Sequence, residues 1–336
     1  MGDSCPGMDT INTVTGTCTP ADLGRTLVHE HIMVGYPGWQ MDALAARFKR
    51  NDAKARTVEM LQSLQAHGVK SFLDPCPMDL GRDVEFMAEC AQASGMQIIC
   101  TTGGYFEEQG ITYTFANLPV DDIAAIYEKE ITEGIDETGI HAGLIKIATG
   151  HGKVSDYERK LLTAAARAAK RCDVPLISHT QEGTCGPDQI EIVTGEGVPA
   201  HRLLVGHSDG IDDPTYHREI VGGGSYIGFD RLGIETILPD DIRMKNIVSL
   251  VNEGHGRHVC LSHDSVCNWL GRPILGPGVV VDDPASMIAQ AMPDWTPTHL
   301  FERVIPKLRD AGVSDEAITT MTDENPGRWF AGTEVP

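Results

Sequence analysis

Residues 142–180, AGLIKIATGHGKVSDYERKLLTAAARAAKRCDVPLISHT, contain two apolar runs separated by one amphipathic stretch. The runs at 142–149 and 174–180 are largely apolar and lack regular polar alternation, which is typical of strands buried on both faces. The stretch between them opens with Ser155, and Glu158 follows three residues later, the capping-box signal of a helix start. The segment therefore predicts a parallel unit of strand, helix and strand.

The same alternation extends along most of the chain. A helical pattern at 50–68 ends on Gly68, a C-cap signal, and another at 120–135 carries acidic residues in its first turn. Repeated strand–helix alternation predicts an α/β fold, a (β/α)₈ TIM barrel, with an open doubly wound sheet as the alternative. The strand-like runs are TLVHEH (26–31), VKSFLDP (69–75), MQIICTTG (96–103), AGLIKIAT (142–149), VPLISHT (174–180), RLLVGHS (202–208), SYIGFD (225–230) and HVCLSHD (258–264).

Segments at both ends fall outside this repeat. The opening residues 11–24 suggest a short N-terminal hairpin that turns at Gly16. Residues 265–297 are rich in Gly, Pro and Asp and predict one long functional loop. Residues 314–330 predict a C-terminal helix closed by Pro326. Because no linker is evident, we expect residues 1–336 to form a single domain, with the barrel at about 26–312.

Composition excludes several classes of partner. The formal net charge is −21, from 48 acidic and 27 basic residues, and such a field repels nucleic acid and anionic membranes. No apolar run approaches the ~20 residues of a membrane span. The nine cysteines form no CxxC pair, and residues 1–16 show no secretory signal. We therefore expect a cytoplasmic protein with free thiols and without nucleic-acid or membrane partners.

Histidines, acids and one lysine collect at the ends of the strand-like runs. His29 and His31 are two residues apart, which places both side chains on one face of a strand. The later members are spaced by 33, 28 and 57 residues, close to one or two strand–helix units. In a closed barrel this periodicity carries them to the same rim, where such enzymes build their active sites. The six residues are His29, His31, Lys146, His179, His207 and Asp264.

This set predicts a site for divalent metal ions. Each member alone has an ordinary structural explanation, as a hydrogen-bonded histidine, a capping acid or a surface lysine. Together they offer imidazole and carboxylate ligands, which suit Zn, Mn, Fe or Co. A lysine among cations is excluded by charge repulsion unless its amine is neutral and converted into an anion.

These motifs resemble the phosphotriesterase family of the amidohydrolase superfamily, and most closely its phosphotriesterase-like lactonases. The resemblance extends from about residue 12 to residue 330 and rests on TLVHEH, GLIKIATG, PLISHTQEG, VGHSD, GFDRLG, CLSHD and the closing ENPGRWF. It implies a hydrolase with two divalent ions, zinc first, with cobalt, manganese or iron as alternatives. It also implies a homodimer.

The resemblance assigns a role to each ligand residue. His29, His31 and Asp264 would bind the more buried ion, and His179 and His207 the exposed one. Lys146 would be carboxylated to N6-carboxylysine and bridge both ions, and Asp264 would also act as general base.

The resemblance also implies pocket residues for a small-molecule substrate. Tyr105 and Arg231 occupy positions typical of the lactonase-like members. Organophosphate-specialised members carry a histidine at the arginine position and two consecutive aspartates after GHS, whereas this chain has Arg231 and the single Asp209. Trp269, in the segment after the eighth strand, is a further candidate pocket wall.

The resemblance thus favours lactone hydrolysis, with N-acyl-homoserine lactones as candidate substrates and organophosphate triesters as a side reaction. The alternatives are hydrolysis of another carboxyl ester, amide or carbamate, a primary phosphotriesterase, and a non-catalytic metal- or ligand-binding barrel.

Overall fold

A computed structural model of the chain describes residues 10–276 and 279–335. Within these ranges, eight strands form one parallel sheet with the order β11-β10-β9-β8-β7-β6-β5-β3, in which each strand pairs with its predecessor in the barrel. This order confirms the predicted (β/α)₈ barrel. The strands are β1 (Ile11–Thr13), β2 (Gly16–Cys18), β3 (Thr26–Leu27), β4 (His31–Val34), β5 (Ser71–Asp74), β6 (Gln97–Gly103), β7 (Leu144–Thr149), β8 (Leu176–Thr180), β9 (Leu203–Val205), β10 (Tyr226–Phe229), β11 (Val259–Leu261), β12 (Val266–Trp269), β13 (Ile274–Gly276) and β14 (Val279–Val280).

The helices lie around the sheet, and their ends follow the local sequence signals. Ser155 accepts a hydrogen bond from the backbone of Glu158, as the capping box predicts, and Gly68 follows the first helix with a φ of +82°. The α-helices are α1 (Arg50–Ala66), α2 (Val84–Ser94), α3 (Tyr113–Asn117), α4 (Val120–Thr132), α5 (Asp156–Cys172), α6 (Gly186–Gly195), α7 (Pro214–Gly222), α8 (Asp240–Asn252), α9 (Pro284–Ala291), α10 (Ile305–Asp310), α11 (Asp315–Thr319) and α12 (Asn325–Ala331). Segments of π-helix at Leu300–Val304 and Thr320–Glu324 precede α10 and α12.

One ring of apolar side chains occupies the barrel interior. It takes one buried residue from each of seven successive strands and is packed against Trp329 of α12 and Ile11 of the N-terminal hairpin. Its members are Leu73, Ile99, Leu144, Ile177, Leu204, Tyr226 and Cys260. Because strand side chains alternate, the residues two positions later point inward again, one layer nearer the C-terminal mouth. Lys146 and His179 belong to this next layer.

A larger apolar layer lies between the sheet and the surrounding helices. The β1–β2 hairpin pairs as predicted, with Ile11 opposite Cys18. The described cysteines are all free thiols, in agreement with the sequence analysis. No helix of the described residues is long and apolar enough to cross a membrane. Residues 1–9, on which the predicted lack of a secretory signal depends, lie outside the described residues.

The barrel closes where its first and last strands are both interrupted. The predicted strand 26–31 is divided into β3 and β4, and β11 and β12 are separated by residues 262–265. β4 pairs with β12 in parallel, with His31 opposite Val266. Between the two halves, the backbone N–H of Asp264 donates to the carbonyl of His29 at 3.0 Å. We call this region, residues 28–31 and 262–266, the seam.

Glu30 holds the seam together. Its carboxylate is fully buried and accepts five hydrogen bonds. Two come from the hydroxyls of Ser262 and Ser265, two from the backbone N–H groups of His263 and Ser265, and one from the His263 ring. The other ring nitrogen of His263 accepts from Leu300 N at 2.9 Å, so the proton of this ring lies on Nδ1. Glu30 therefore ties the first strand to the last.

Parts of the predicted boundaries were wrong. Residues 265–297 are not one loop, because they contain β12, the β13–β14 hairpin and α9, and the pairing of β12 with β4 continues the barrel closure. Residues 277–278 of this segment lie outside the described residues. Pro326 does not close the last helix, since it lies in the first turn of α12, where a proline is tolerated and the wider π turn precedes it.

We expect Glu30→Gln to lower the free energy of unfolding of the metal-stripped protein by about 2–4 kcal/mol, because an amide cannot accept from all of these donors. Equilibrium denaturant unfolding measures this change. Glu89→Gln is the matched control, since its exposed pairs with Arg50 and Lys54 should contribute less than about 1 kcal/mol. Equal losses in the two variants would contradict the role of Glu30 at the seam.

Candidate active site

The structure brings the six predicted ligand residues together at the C-terminal mouth of the barrel. Lys146 and His179 lie within β7 and β8. His207 lies two residues after the end of β9, and Asp264 lies between β11 and β12. His29 lies in the break between β3 and β4, and His31 is the first residue of β4. The convergence is the one that strand periodicity predicts.

One group of donors consists of His29, His31 and Asp264. His31 Nε2 lies 3.2 Å and His29 Nε2 lies 3.7 Å from Asp264 Oδ1. The ligand atoms of these three residues all lie within 4.8 Å of one another, so they could hold one ion. The second nitrogen of His31 faces Asp74 Oδ1 at 3.3 Å, which orients the ring.

The second group adjoins the first. The rings of His179 and His207 are 4.6 Å apart, and the rings of His29 and His207 are 4.4 Å apart. His179 Nε2 lies 2.9 Å from Gln181 Oε1, which leaves its Nδ1 facing the hydroxyl of Tyr105 at 3.1 Å. His207 Nε2 lies 3.7 Å from Asp264 Oδ2. Asp264 therefore stands between both groups.

Lys146 is buried in the middle of the cluster. Its Nζ lies 2.9 Å from His29 Nε2, and only 2% of the residue is exposed. Burial lowers the pKa of Lys146 from 10.5 to about 8, although the negative charges of Asp264 and Asp230 oppose this shift. A substantial fraction of the amine is then neutral near pH 8.

Two ligand residues have a left-handed backbone. His207 has a φ of +58° and Asp264 a φ of +55°. Residues with a Cβ adopt this conformation at a cost, and such residues cluster at functional sites. The turn after β9 and the turn after β11 thus aim these two side chains back over the barrel axis.

The charge states of three members of the cluster favour metal ligation. Burial, followed by the positive charge of Arg231, lowers the pKa of His179 and of His207 well below 6.5, so both rings are neutral. Burial alone would raise the pKa of Asp264, but His207, the hydrogen bond from His31 and the charge of Arg231 hold it well below 3.8. Neutral imidazoles and an ionised carboxylate are the forms that bind cations.

Asp230 was not among the predicted site residues, yet it contacts two of them. Its Oδ2 lies 2.8 Å from His29 Nδ1, and its Oδ1 lies 2.8 Å from His207 Nδ1. It is fully buried at the end of β10. The available signal was an acid within GFDRLG, two residues after the inward-facing Gly228.

The predicted pocket residues divide into two kinds. Tyr105 and Arg231 contact the cluster directly, Tyr105 through His179 and Arg231 through a 3.0 Å pair between its Nε and Asp264 Oδ2. Trp269 lies farther along β12, with its ring 6.3 Å from that of Tyr36. Tyr36, which the sequence analysis missed, lies in this region by the same ring contact, and burial and then the charge of Asp264 raise its pKa.

Arg231 is anchored from behind. Its backbone N–H donates to Asp209 Oδ2 at 3.0 Å, and the same oxygen pairs with Arg243 Nε at 3.0 Å. Arg243 also pairs with Asp240, which in turn contacts His299 at 2.6 Å. This buried network fixes the segment that carries Arg231.

Comparison with known proteins agrees with this geometry. The sequence profile of the Phosphotriesterase family matches residues 9–330. An aryldialkylphosphatase of Saccharolobus solfataricus is 32% identical over 92% of this chain and 96% of its own length. A phosphotriesterase homology protein of Mycobacterium tuberculosis is also 32% identical, over 96% of this chain and 98% of its own.

Solved structures give the same result. The organophosphorus hydrolase from Deinococcus radiodurans superposes with a TM-score of 0.90 at 38% identity, covering 98% of this chain and 99% of that one. A mutant of a PTE-like lactonase from the same organism superposes with a TM-score of 0.89 at 38% identity, covering 96% of this chain and 100% of that one. The fold, the donor set and these relatives agree, and the chain belongs to the phosphotriesterase family of hydrolases.

Proposed function

We propose that the protein is a binuclear metal-dependent hydrolase that opens lactones, with slower activity on organophosphate triesters. In this proposal His29, His31 and Asp264 bind one divalent ion, and His179 and His207 bind the second. Zinc is our first choice, and cobalt, manganese and iron offer similar ligand chemistry. N-acyl-homoserine lactones are the candidate natural substrates.

The observation that carries the lactone proposal is the meeting of Tyr105 and Arg231 over the donor set. The tyrosine hydroxyl and the guanidinium approach it from different strands, at 3.1 Å from His179 and 3.0 Å from Asp264. A lactone presents a carbonyl oxygen and a ring oxygen, and both accept hydrogen bonds. One cationic donor and one neutral donor therefore match the two polar atoms of such a ring.

The residues of the chain supply the proton transfers. When bound, the metal ions would lower the pKa of an attacking water and polarise the carbonyl oxygen. Asp264 accepts the proton of that water at its carboxylate and returns it to the ring oxygen when the C–O bond breaks, which yields a hydroxy acid. The guanidinium of Arg231 keeps Asp264 ionised before the attack. Tyr105 donates its hydroxyl proton in a hydrogen bond and orients the ring.

Lys146 is proposed to carry the bridging carbamate. Its neutral Nζ attacks the carbon of CO₂, an N–C bond forms as one C=O π bond breaks, and one proton passes from the nitrogen to solvent. The product is an anion, so it can lie between two cations where an ammonium group cannot. The lowered pKa of the amine supports this reaction, because only the neutral form is a nucleophile.

The phosphotriester activity is proposed as secondary. Donors arranged for a tetrahedral carboxyl intermediate also stabilise a pentacoordinate phosphoryl group. The relatives support both reactions, since they include an aryldialkylphosphatase, an organophosphorus hydrolase and a PTE-like lactonase. Arg231 and the single Asp209 after GHS favour the lactone as the main substrate.

Three further features remain proposals from the sequence. We treat residues 1–336 as one hydrolase domain, and the protein as a homodimer. We place it in the cytoplasm, which the free thiols of the described cysteines support because disulfides are rare in reducing compartments.

Metal removal followed by a substrate panel tests the main proposal. We expect chelation to abolish hydrolysis, and Zn, Co or Mn to restore it with two ions per chain. The panel compares kcat/KM for a series of γ-lactones, an open-chain aryl ester and a diethyl aryl phosphate. The lactones should be preferred, and a lactone-to-ester ratio near or below one would remove the lactone assignment. Full activity without metal would remove the binuclear proposal.

We expect Tyr105→Phe to lower kcat/KM for lactones by about 10–100-fold while the metal content and the Tm stay unchanged, because only one hydroxyl donor is lost. Steady-state kinetics with metal analysis measures this. Tyr113→Phe is the matched control, since Tyr113 begins α3 in the same connection between β6 and α4 and is 85% exposed. An unchanged kcat/KM in Tyr105→Phe would mean that the hydroxyl only packs against His179.

We expect ¹³C NMR of protein reconstituted with metal in ¹³C-labelled bicarbonate to show one carbamate signal, which is lost in Lys146→Gln. Lys160→Gln is the control, because its ammonium group already donates to three backbone carbonyls at the end of α3. A signal that persists in Lys146→Gln would assign the carbamate to another amine.

A further inference from the structure

Asp230 links the two halves of the donor set. One of its oxygens contacts His29, which we assign to the first ion, and the other contacts His207, which we assign to the second. The carboxylate has no exposed surface, and no other side chain of the described residues hydrogen-bonds to both groups. Its Oδ1 accepts the backbone N–H of His207 at 2.7 Å, and its Oδ2 faces His29 Nδ1 while the other nitrogen of that ring faces Lys146 Nζ at 2.9 Å, so the group acts as an acceptor.

An acceptor on both sides determines where the histidine protons lie. A neutral imidazole has one N–H and one lone pair. Since both Nδ1 atoms face an ionised carboxylate at 2.8 Å, both rings carry their proton on Nδ1. Each Nε2 then presents its lone pair to the proposed metal site, and that of His29 faces Lys146 Nζ at 2.9 Å. Without the carboxylate of Asp230, neither Nδ1 would face an acceptor.

The contact distances identify these as hydrogen bonds and not as a third metal site. The two Nδ1 atoms and the carboxylate do form a potential ligand group. However, tetrahedral ligands with bonds of 2.0–2.1 Å to zinc lie about 3.3 Å apart. The observed separations are 2.8 Å, and the backbone N–H of His207 also donates to Asp230 Oδ1 at 2.7 Å.

The barrel leaves space for this carboxylate. A Cβ on Gly228 would lie 2.7 Å from Asp230 Oδ2, and a Cβ on Gly206 would lie 3.0 Å from the same oxygen and 3.2 Å from His29 Nδ1. Both glycines belong to the inward layer that follows the apolar ring. The two missing side chains make the gap in which Asp230 meets the imidazole of His29.

We propose that Asp230 is a positioning residue that fixes the tautomer of one histidine ligand at each metal position, and so sets the affinity of both. This inference rests on the proposed metal centre and deepens it. It also predicts that the two positions respond differently when one oxygen of Asp230 becomes an amide nitrogen.

The asymmetry follows from the donors around Asp230. Oδ1 receives the backbone N–H of His207, which can only donate, so in Asp230→Asn the amide oxygen must remain on this side. The amide nitrogen then faces His29 Nδ1 and donates to it. His29 must accept at Nδ1 and carry its proton on Nε2, which removes the lone pair that would bind the ion. His207 keeps its tautomer.

We expect Asp230→Asn to retain the ion at His179 and His207 and to bind the ion at His29, His31 and Asp264 about 10–100-fold more weakly. Titration of the metal-stripped protein with Zn or Co gives the two affinities. Anomalous diffraction from crystals grown at limiting metal shows which position stays occupied. Equal weakening at both positions, or no weakening, would overturn the inference.

Glu130→Gln is the matched control. Glu130 is also buried, but its carboxylate pairs with Arg82 at 2.7 and 2.8 Å and contacts none of the four histidines. Its substitution removes one buried charge without changing an imidazole partner, so both affinities should stay near the wild-type values. The same selective loss in Glu130→Gln would attribute the effect to buried charge and contradict the tautomer mechanism.

NMR of the metal-free protein tests the mechanism separately from metal binding. Long-range ¹H–¹⁵N correlation spectra, assigned with single histidine substitutions, report which ring nitrogen carries the proton. We expect Nδ1–H for His29 and His207 in the wild type, and Nε2–H for His29 alone in Asp230→Asn. Unchanged tautomers in a folded Asp230→Asn would disprove the inference. A wild type with these tautomers that binds no metal would instead disprove the proposed function.

Discussion

The carboxylate of Glu30 is the interaction on which the rest of the site depends. A closed barrel must join its first strand to its last, and here both strands are interrupted at the joint. The backbone lost from the ladder is replaced by one buried side chain that accepts from Ser262, His263 and Ser265. Because the interruption releases His29 and Asp264 from regular strand geometry, the same feature that weakens the sheet also allows the ligands to approach one another. The barrel is therefore closed by the hydrogen bonds of one side chain at the place where its first and last strands are interrupted.

Much of this arrangement follows from alternation along the strands. The apolar ring that includes Leu144 and Ile177 predicts which positions face inward, and two residues later the same rule gives Lys146 and His179. The strand–helix spacing then brings residues from distant parts of the chain to one rim. Lys146 and His179 needed nothing beyond this periodicity and the polarity of their side chains. The start of α5 at Ser155 and the end of α1 at Gly68 could also be predicted, because local capping residues decide them.

What the sequence did not reveal depends on contacts between distant segments. Glu30 lies in the strand-like run HEH, and its partners are more than 200 residues away along the chain. Asp230 lies in the run GFD, and its partners His29 and His207 are 201 and 23 residues away. Periodicity places such acids on a face but does not say which donors they meet. The left-handed backbone at His207 and at Asp264 is likewise set by tertiary packing. Neither residue is a glycine, so the local sequence gives no signal of a left-handed turn. The strand β12 was hidden for the same reason, because its pairing partner is the other side of the seam.

The β4–β12 ladder gives the entrance of the barrel an asymmetric shape. Three residues of β12 extend this side by about 10 Å beyond the seam, and Trp269 lies at its far end near Tyr36. Main-chain hydrogen bonds between β4 and β12 make this side rigid. The opposite side is bounded by the turns that follow β7 and β8. Under the proposed function, a substrate would approach the donor set past this strand pair on one side and past those turns on the other. The shape of the entrance would then contribute to the choice of substrate together with the chemistry of the donor set.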